Sequence, residues 1–388
     1  MVLLMVKRQH ILLLLEQYDY RIHRGVAPIA REAGWQLVCP KDHVTRDRLL
    51  HNEPWDGCIA MLQRSESMEY FREHRIPLVA LDFVEDDLLC PRVVPDNREI
   101  GRLAAGHFRD HGHREVFTLD PGGIAMYQER LAALKEYMEE DGGSVTVLQV
   151  SEANIAEVIG NLEVIARQRK QRLGEQPLAF FAYQDSIAAE IISICLQHEL
   201  LVPEHIAVLG VDNDDLINEG LSISLSSIDI DLEGLGRRAA LQLRKLLLHQ
   251  SQHSGAAIVR HPPKEVVVRQ STSSYAVRNP LVSDALHWIQ THFHAGIQAT
   301  DVATAMGVSQ QGLQKAFASD FSRSPGQEIR HQRIQAVAHL LRSTNARLQD
   351  IAENCGYYSV DTLIISFRSA YGMTPGRYRK LNRTPATR

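Results

Sequence analysis

One helical unit is written twice near the C-terminus of this 388-residue chain. The first copy runs Asp301-Val-Ala-Thr-Ala-Met-Gly307, then Ser309, Leu313, Phe317, Phe321 and Pro325. The second runs Asp350-Ile-Ala-Glu-Asn-Cys-Gly356, then Ser359, Leu363, Phe367, Tyr371 and Pro375. The copies are offset by 49 residues up to the glycine and by 50 beyond it, so the second turn holds one extra residue. Each feature suits a helix-turn-helix. Ala303 and Ala352 are small enough for two helices to cross closely. Gly307 and Gly356 can take the positive φ at which the first helix stops. Ser309 and Ser359 are good N-caps for the next helix. Leu313 with Phe317, and Leu363 with Phe367, pin one face of that helix to a core and leave the other face free.

Charge follows the same division. The whole chain has 42 Lys and Arg against 47 Asp and Glu. From Pro280 onward there are 12 against 7, a balance of +5, while the remainder stands at −10. A basic tail on an acidic body points to a polyanion as the tail's partner. Strand signals disappear beyond Pro280. Helices are expected at about 281–294, 300–306, 309–321, 325–342, 348–354 and 359–371, with a last turn after Pro375.

The first 270 or so residues alternate short apolar runs with helix-compatible segments. Strands are expected at 11–15, 35–38, 57–62, 77–81, 116–119, 145–150, 178–182 and 206–211. Helices are expected at 21–33, 98–109, 128–140, 153–169 and 186–198. Continuous apolar strands separated by helices mean parallel sheets covered on both faces. The pattern restarts midway, which gives two doubly wound lobes. The expected fold is therefore α/β, two doubly wound parallel lobes followed by an all-α tail. Ser271-Thr-Ser-Ser274 is the best linker candidate. The expected domains are 1–273, with 274–280 as linker and 281–388 as the tail.

Ligands of such sheets bind beyond the carboxyl ends of the strands. Asp19, Asp96, Gln184, Asp185 and Asp212 all fall just after expected strands. Carboxylates accept hydroxyl hydrogen bonds and aromatic faces cover C–H surfaces, a chemistry suited to a sugar. Tyr18, Phe83 and Tyr127 are stacking candidates, against core or rim packing for each. Asp214 and Asp215 read as turn or cap residues.

Several classes are disfavoured. The sequence lacks G-x-S-x-G, a P-loop and a dinucleotide fingerprint, which weakens the alternative of a sugar-processing α/β enzyme with a helical appendage. A transport binding protein needs an export signal, and none is seen. The five cysteines (39, 58, 90, 195 and 355) form no C-x-x-C and read as core residues of a cytoplasmic protein. His107, His111 and His113 have no Cys nearby and Gly112 ends the helix that carries the first two, so no metal and no cofactor is expected. No segment approaches a membrane span.

The stretch Arg333-x-x-x-Val337-x-x-Leu340-Leu341 … Ile351-Ala352-Glu353-x-Cys355-Gly356-Tyr357 … Phe367-Arg368-x-x-Tyr371-Gly372-Met373-Thr374-Pro375-x-x-Tyr378-Arg379 resembles the signature of the AraC/XylS family of transcription regulators. The resemblance covers about 100 residues. It implies two helix-turn-helix units joined by a long helix, here from Pro325 to about Arg342, which at 1.5 Å per residue is about 27 Å long. That spacing suits two major-groove segments one turn apart. The first recognition helix would offer Gln310, Gln311, Gln314 and Lys315. The second would offer Ser359, Asp361 and Thr362, with Ile364 and Ile365 where members often carry polar or basic residues. Those isoleucines could meet thymine methyls or pack on a neighbouring surface, and packing is the favoured reading. Arg368, Arg377, Arg379 and Lys380 are candidates for phosphate contacts.

The body resembles the type I periplasmic-binding-protein fold that LacI/GalR repressors use for effectors. The matching pieces are Trp55-Asp-Gly57, Ile76-Pro-Leu-Val79, Pro95-Asp96-Asn97 … Gly101-Arg-Leu-Ala-Ala105, Glu129-Arg130, Gly210-Val-Asp212-Asn-Asp214, and Leu225-Ser-Ser-Ile228 … Gly236-x-x-Ala239-Ala240. An AraC-type tail on a LacI-type body is similar to the xylose-operon-regulator subgroup, which Tyr18-Asp19 also fits. The resemblance implies that Arg130 and Asp212 grip sugar hydroxyls. Asp19 and Asp96 match the subgroup's sugar-site positions, and Gln184 stands where many members have Asn. It further implies a transcription activator acting as a homodimer on double-stranded operator DNA, with a xylose-like pentose as effector and RNA polymerase as a further partner.

Overall fold

The computed structural model describes residues 8–15, 18–41, 45, 49, 54–61, 70–71, 73–82, 90–120, 122–149, 177–248, 257–277 and 279–382. The expected helix at 153–169, together with Leu62, Phe83 and Val150, lies outside the described residues.

The first lobe contains β1 (His10–Leu15), α1 (Tyr20–Glu32), β2 (Gln36–Val38), β3 (Gly57–Met61), β4 (Leu78–Ala80) and β5 (Arg92–Pro95). The chain then passes to the second lobe with α2 (Asn97–Asp110), β6 (Glu115–Leu119), α3 (Ala125–Glu139), β7 (Ser144–Leu148), β8 (Leu178–Phe181), α4 (Asp185–Gln197), β9 (Ile206–Val211), α5 (Asp215–Glu219) and β10 (Ser226–Asp229). Helix α6 (Leu232–Leu248) and β11 (Ile258–His261) return to the first lobe, and β12 (Glu265–Val267) closes the second. The first sheet has the order β11-β5-β4-β3-β1-β2 and the second β12-β10-β9-β8-β6-β7. The expected parallel pairing holds among the described strands except where β12 runs antiparallel to β10.

The buried runs explain the layers. Ile11 to Leu15 are at most 4% exposed because helices and sheet cover both faces of β1. Helices α1 and α6 cross closely on one of those faces. A Cβ on Gly25 would sit 2.0 Å from the Glu233 carbonyl oxygen, and one on Gly236 would sit 2.4 Å from that of Ile22. Only glycine permits that approach.

The chain thus crosses between lobes three times, at 95–97, 229–232 and 261–265. These crossings are tied to one another. Asp96 N donates to the His261 carbonyl at 2.8 Å, and Lys264 N donates to that of Asp229 at 2.7 Å. The Asp231 carboxylate takes the His261 ring at 3.2 Å and the Lys264 ammonium at 2.7 Å. Burial alone would raise the Asp231 pKa, but these two partners hold it down at about 2.

The expected linker at Ser271–Ser274 is not a solvated strap. Ser271 and Thr272 are 0% and 1% exposed. Ser271 Oγ donates to the Val208 carbonyl at 2.6 Å, and Thr272 Oγ1 donates to Ser226 Oγ at 2.8 Å. Hydroxyls that find buried partners can leave water, which composition does not reveal. Tyr275 and Val277 already belong to the core of the tail.

The tail consists of α7 (Pro280–His292), α8 (Ala299–Ala305), α9 (Gln310–Asp320), α10 (Pro325–Ser343), α11 (Leu348–Asn354), α12 (Val360–Tyr371) and α13 (Pro375–Asn382). Each boundary lies within two residues of its expected position. Gly307 and Gly356 take φ of +67° and +72°. Ser309 Oγ accepts from Gly312 N at 3.1 Å, and Ser359 Oγ from Thr362 N at 3.3 Å. Helix α10 serves two cores: Ile329 packs in the first unit, and Ile334, Val337, Ala338 and Leu341 pack in the second.

Candidate effector cleft and nucleic-acid interface

Four of the expected effector residues, Asp19, Arg130, Asp185 and Asp212, come within electrostatic reach of one another where the lobes meet. The centre is Arg130 on α3, 1% exposed. Its Nε donates to Asn97 Oδ1 and its Nη1 to the Tyr183 carbonyl, both at 2.6 Å. Its guanidinium carbon lies 5.2 Å from the Tyr127 ring centre, and Tyr127 stacks on Tyr183 at 4.6 Å. Burial pulls the Arg130 pKa down, and the charges of Asp212, Tyr127 and Asp185 oppose that pull.

Asp212 follows β9 with φ of +113°. Burial pushes its carboxyl well above the usual range; Arg130 opposes the rise and Asp185 adds to it. Asp185, 1% exposed, accepts from Ser227 Oγ at 2.6 Å and from Asp214 N at 2.8 Å. Burial raises its pKa to about 6 against those bonds. Gln184 is the N-cap position of α4, but its side chain makes no capping bond.

From the first lobe, Asp19 caps α1 by accepting from Arg21 N at 2.8 Å. Asp96 caps α2 by accepting from Glu99 N at 3.2 Å. Asp214 is the cap residue expected, accepting from Leu216 N and Ile217 N. Tyr127 is 4% exposed, whereas Tyr18 is 39% exposed and hydrogen-bonds His23.

Arg21, Asn97 and Tyr183 are contributors that the sequence reading missed. Arg21 sits two residues after Asp19 on α1, and its Nη1 donates to the Asp212 carbonyl across the cleft at 2.7 Å. Asn97 was visible only as the residue after Asp96. Tyr183 contributes a main-chain oxygen, and no sequence signal marks that.

His107 Nε2 pairs with Thr272 Oγ1 at 2.9 Å, and His111 bonds the His107 carbonyl and stacks on Tyr275 at 5.1 Å. These rings hold the body against the start of the tail. The junction continues through Arg323, which pairs with Asp110 of α2 and with Glu328 of α10. Glu328 is 0% exposed. Arg342 of α10 pairs with Glu265 of β12 and also bonds Tyr378.

On the tail, Gln310, Gln311, Gln314 and Lys315 are all exposed on α9. On α12, Asp361, Thr362 and Arg368 are exposed, and Ser359 is exposed while serving as the cap. The two isoleucines part company. Ile364 packs on the second core, as expected for both, but Ile365 is 70% exposed. Neighbouring helix positions lie about 100° apart, so Leu363 and Phe367 can bring only one flank of the helix inward. Ile365 instead joins Asp361 and Arg368 on the free face. Thr362 and Ile365 border a groove of about 1390 Å³ shared with β12 and α2 of the body. Arg379 is half-buried and donates to the Ala346 carbonyl at 2.7 Å, so it braces a turn.

A periplasmic binding protein-like domain model matches residues 105–272, and a helix-turn-helix domain model matches 302–381. The xylose operon regulatory protein of Escherichia coli K12 is 26% identical over 391 residues, covering 97% of this chain and 98% of that protein. Its counterpart from Haemophilus influenzae is 25% identical over 374 residues, covering 93% and 95%. A solved structure of the xylose-binding transcription activator xylR superposes with a TM-score of 0.57 at 24% identity, covering 98% of this chain and all of that one. A periplasmic-binding-protein-like body joined to an AraC-type helix-turn-helix domain is the architecture of a ligand-responsive transcription regulator. This chain is a homologue of the xylose operon regulators and of LacI-like regulators.

Proposed function

We propose that this chain senses a neutral pentose of the xylose type in the cleft between its lobes and passes that state to DNA through its tail. One observation carries the reading. Asn97 and Tyr183 hold the buried Arg130 guanidinium where the lobes meet, within electrostatic reach of the buried Asp212 carboxyl, so that a charged donor stands near a carboxyl acceptor. Paired donors and acceptors of this kind suit vicinal hydroxyls. The acidic groups Asp19, Asp185, Asp212 and Asp214 outnumber Arg21 and Arg130 here, even with Asp185 and Asp212 pushed towards their neutral forms by burial, which disfavours a phosphorylated or acidic ligand.

The tail then reads operator DNA with Gln310, Gln311, Gln314 and Lys315 from α9, and with Ser359, Asp361, Thr362 and Arg368 from α12. Glutamine pairs bidentately with adenine, while Arg368 is suited to phosphate. The protein works as a cytoplasmic homodimer that places two tails on paired half-sites and contacts RNA polymerase as an activator.

A thermal-shift screen tests the effector class. D-Xylose or another aldopentose at 100 times its Kd adds about 2.7 kcal/mol of stability, while glucose-6-phosphate adds none. Stabilisation by the phosphorylated sugar alone would overturn the reading.

A further inference from the structure

Arg21 spans the cleft that the sugar is proposed to enter. Its main-chain N and its Nε both donate to Asp19 Oδ1, at 2.8 and 3.1 Å. Nε and Nη2 both donate to Asp19 Oδ2, at 3.2 and 2.7 Å. A carboxylate offers about four lone-pair sites, and three N–H groups of this one residue, with Nε–H shared between the two oxygens, take most of them. The same guanidinium reaches the second lobe, donating to the Asp212 carbonyl at 2.7 Å and lying 3.4 Å from the Asp214 carboxylate. Its side chain is 13% exposed. Bidentate pairing of this geometry is among the stronger polar contacts in proteins. A sugar hydroxyl that bonds to Asp19 therefore competes with Arg21 for the same two oxygens.

We propose that Arg21 is a tethered competitor of the effector: its guanidinium occupies the Asp19 oxygens that a sugar hydroxyl would use, and the same group joins the lobes through the Asp212 carbonyl and Asp214. The exchange sets the sugar concentration at which the regulator responds. The Asp212 carbonyl and Asp214, which the guanidinium already touches, keep it in the cleft when Asp19 is given up. This inference rests on the effector reading given above, but its first test needs no sugar.

The test compares wild type with Arg21→Gln and Arg21→Lys in the full-length protein. By small-angle scattering without added sugar, Arg21→Gln gives a larger radius of gyration than wild type. Arg21→Lys, which keeps the charge but loses the fork, falls between them and guards against misfolding of the first variant. Identical scattering from all three overturns the bridge. By calorimetry, D-xylose binds Arg21→Gln about tenfold more tightly than wild type, the worth of one charge-assisted contact released. Weaker binding by a folded variant makes Arg21 a sugar contact and overturns the competition. If D-xylose binds neither protein, the effector reading fails at its ligand, and the scattering still decides whether Arg21 holds the lobes together.

Discussion

Glu265 and Arg342 join the last crossing between the lobes to the helix that connects the two DNA-reading units. Glu265 is the first residue of β12, and the Arg342 side chain is 7% exposed near the end of α10. A shift at this crossing therefore reaches the tail directly through this ion pair, alongside the junction made by Arg323 and Asp110. Coupling between sites is typically worth 1–3 kcal/mol, or about 5- to 150-fold in affinity. In Glu265→Gln, sugar changes the affinity for a promoter fragment bound by the wild-type protein by less than about twofold, with sugar-free binding retained. The reciprocal exchange, Glu265→Arg with Arg342→Glu, restores part of the response. Electrophoretic titrations with and without D-xylose check this, and a full response in Glu265→Gln refutes it.

Ile364 and Ile365 have opposite fates on substitution. Ile364→Ser opens the second core and lowers stability by about 1–3 kcal/mol, leaving base preference unchanged. Ile365→Ser leaves the melting temperature where it was and alters the choice among operator sequences. Melting curves paired with selection from a randomised DNA pool separate the two. A large loss of stability at Ile365 contradicts the exposure on which this rests.

The tail as a folding unit begins before Pro280. Tyr275 and Val277 pack in its first core, and each buried side chain contributes about 1.5–3 kcal/mol. A fragment starting at Ser274 is accordingly more stable to urea than one starting at Pro280, by roughly 3 kcal/mol. Both carry the basic excess, so DNA binding by the longer fragment weakens steeply with salt as phosphate contacts release counterions. Equal urea midpoints for the two fragments argue against the packing of 275–277.

Asp231 gives the hinge an acid limit. Its folded pKa of about 2 lies below the ordinary 3.8, so its contribution is present above pH 4 and is lost as pH falls towards 2. The shift corresponds to roughly 2 kcal/mol. Asp231→Asn loses this amount at pH 7 and shows a flatter stability profile between pH 4 and 2. Denaturant titrations across that range measure the difference. Parallel profiles for variant and wild type remove Asp231 as the cause.

Asp212→Asn weakens pentose binding about two- to tenfold, the worth of one hydrogen bond, while sugar-free DNA binding persists. Asn97→Ala acts on the same site indirectly, because Arg130 loses the acceptor that orients it. Calorimetry on both variants is the check. Wild-type affinity in Asp212→Asn moves the effector site elsewhere.

The tail was legible almost residue by residue because a repeat exposes its own logic: two glycines, two serine caps and two Leu/Phe pairs stand in register. The two lobes were legible from apolar runs such as Ile11 to Leu15, which only a doubly covered sheet produces. The contacts between elements were not. Nothing local distinguishes Ser271, whose hydroxyl is buried against β9, from a serine in a solvated linker. Arg21 likewise reads as an ordinary helix cation until the second lobe brings the Asp212 carbonyl to it. Ile365 was misjudged because a residue type was weighed where helix phase decides. Caps such as Asp19 and Asp96 were found through their position after strands, although the structure uses them first to start helices.

The three crossings at 95–97, 229–232 and 261–265 also restrict how the lobes can move. Two bodies joined by one strand can swivel in any direction. Joined by three adjacent strands that hydrogen-bond to one another through His261, Asp231 and Lys264, they keep little more than rotation about a single axis. Closure then has one degree of freedom. On the proposed reading, whatever fills the cleft drives the tail along the same arc, and ligands differ in how far they move it rather than in which way.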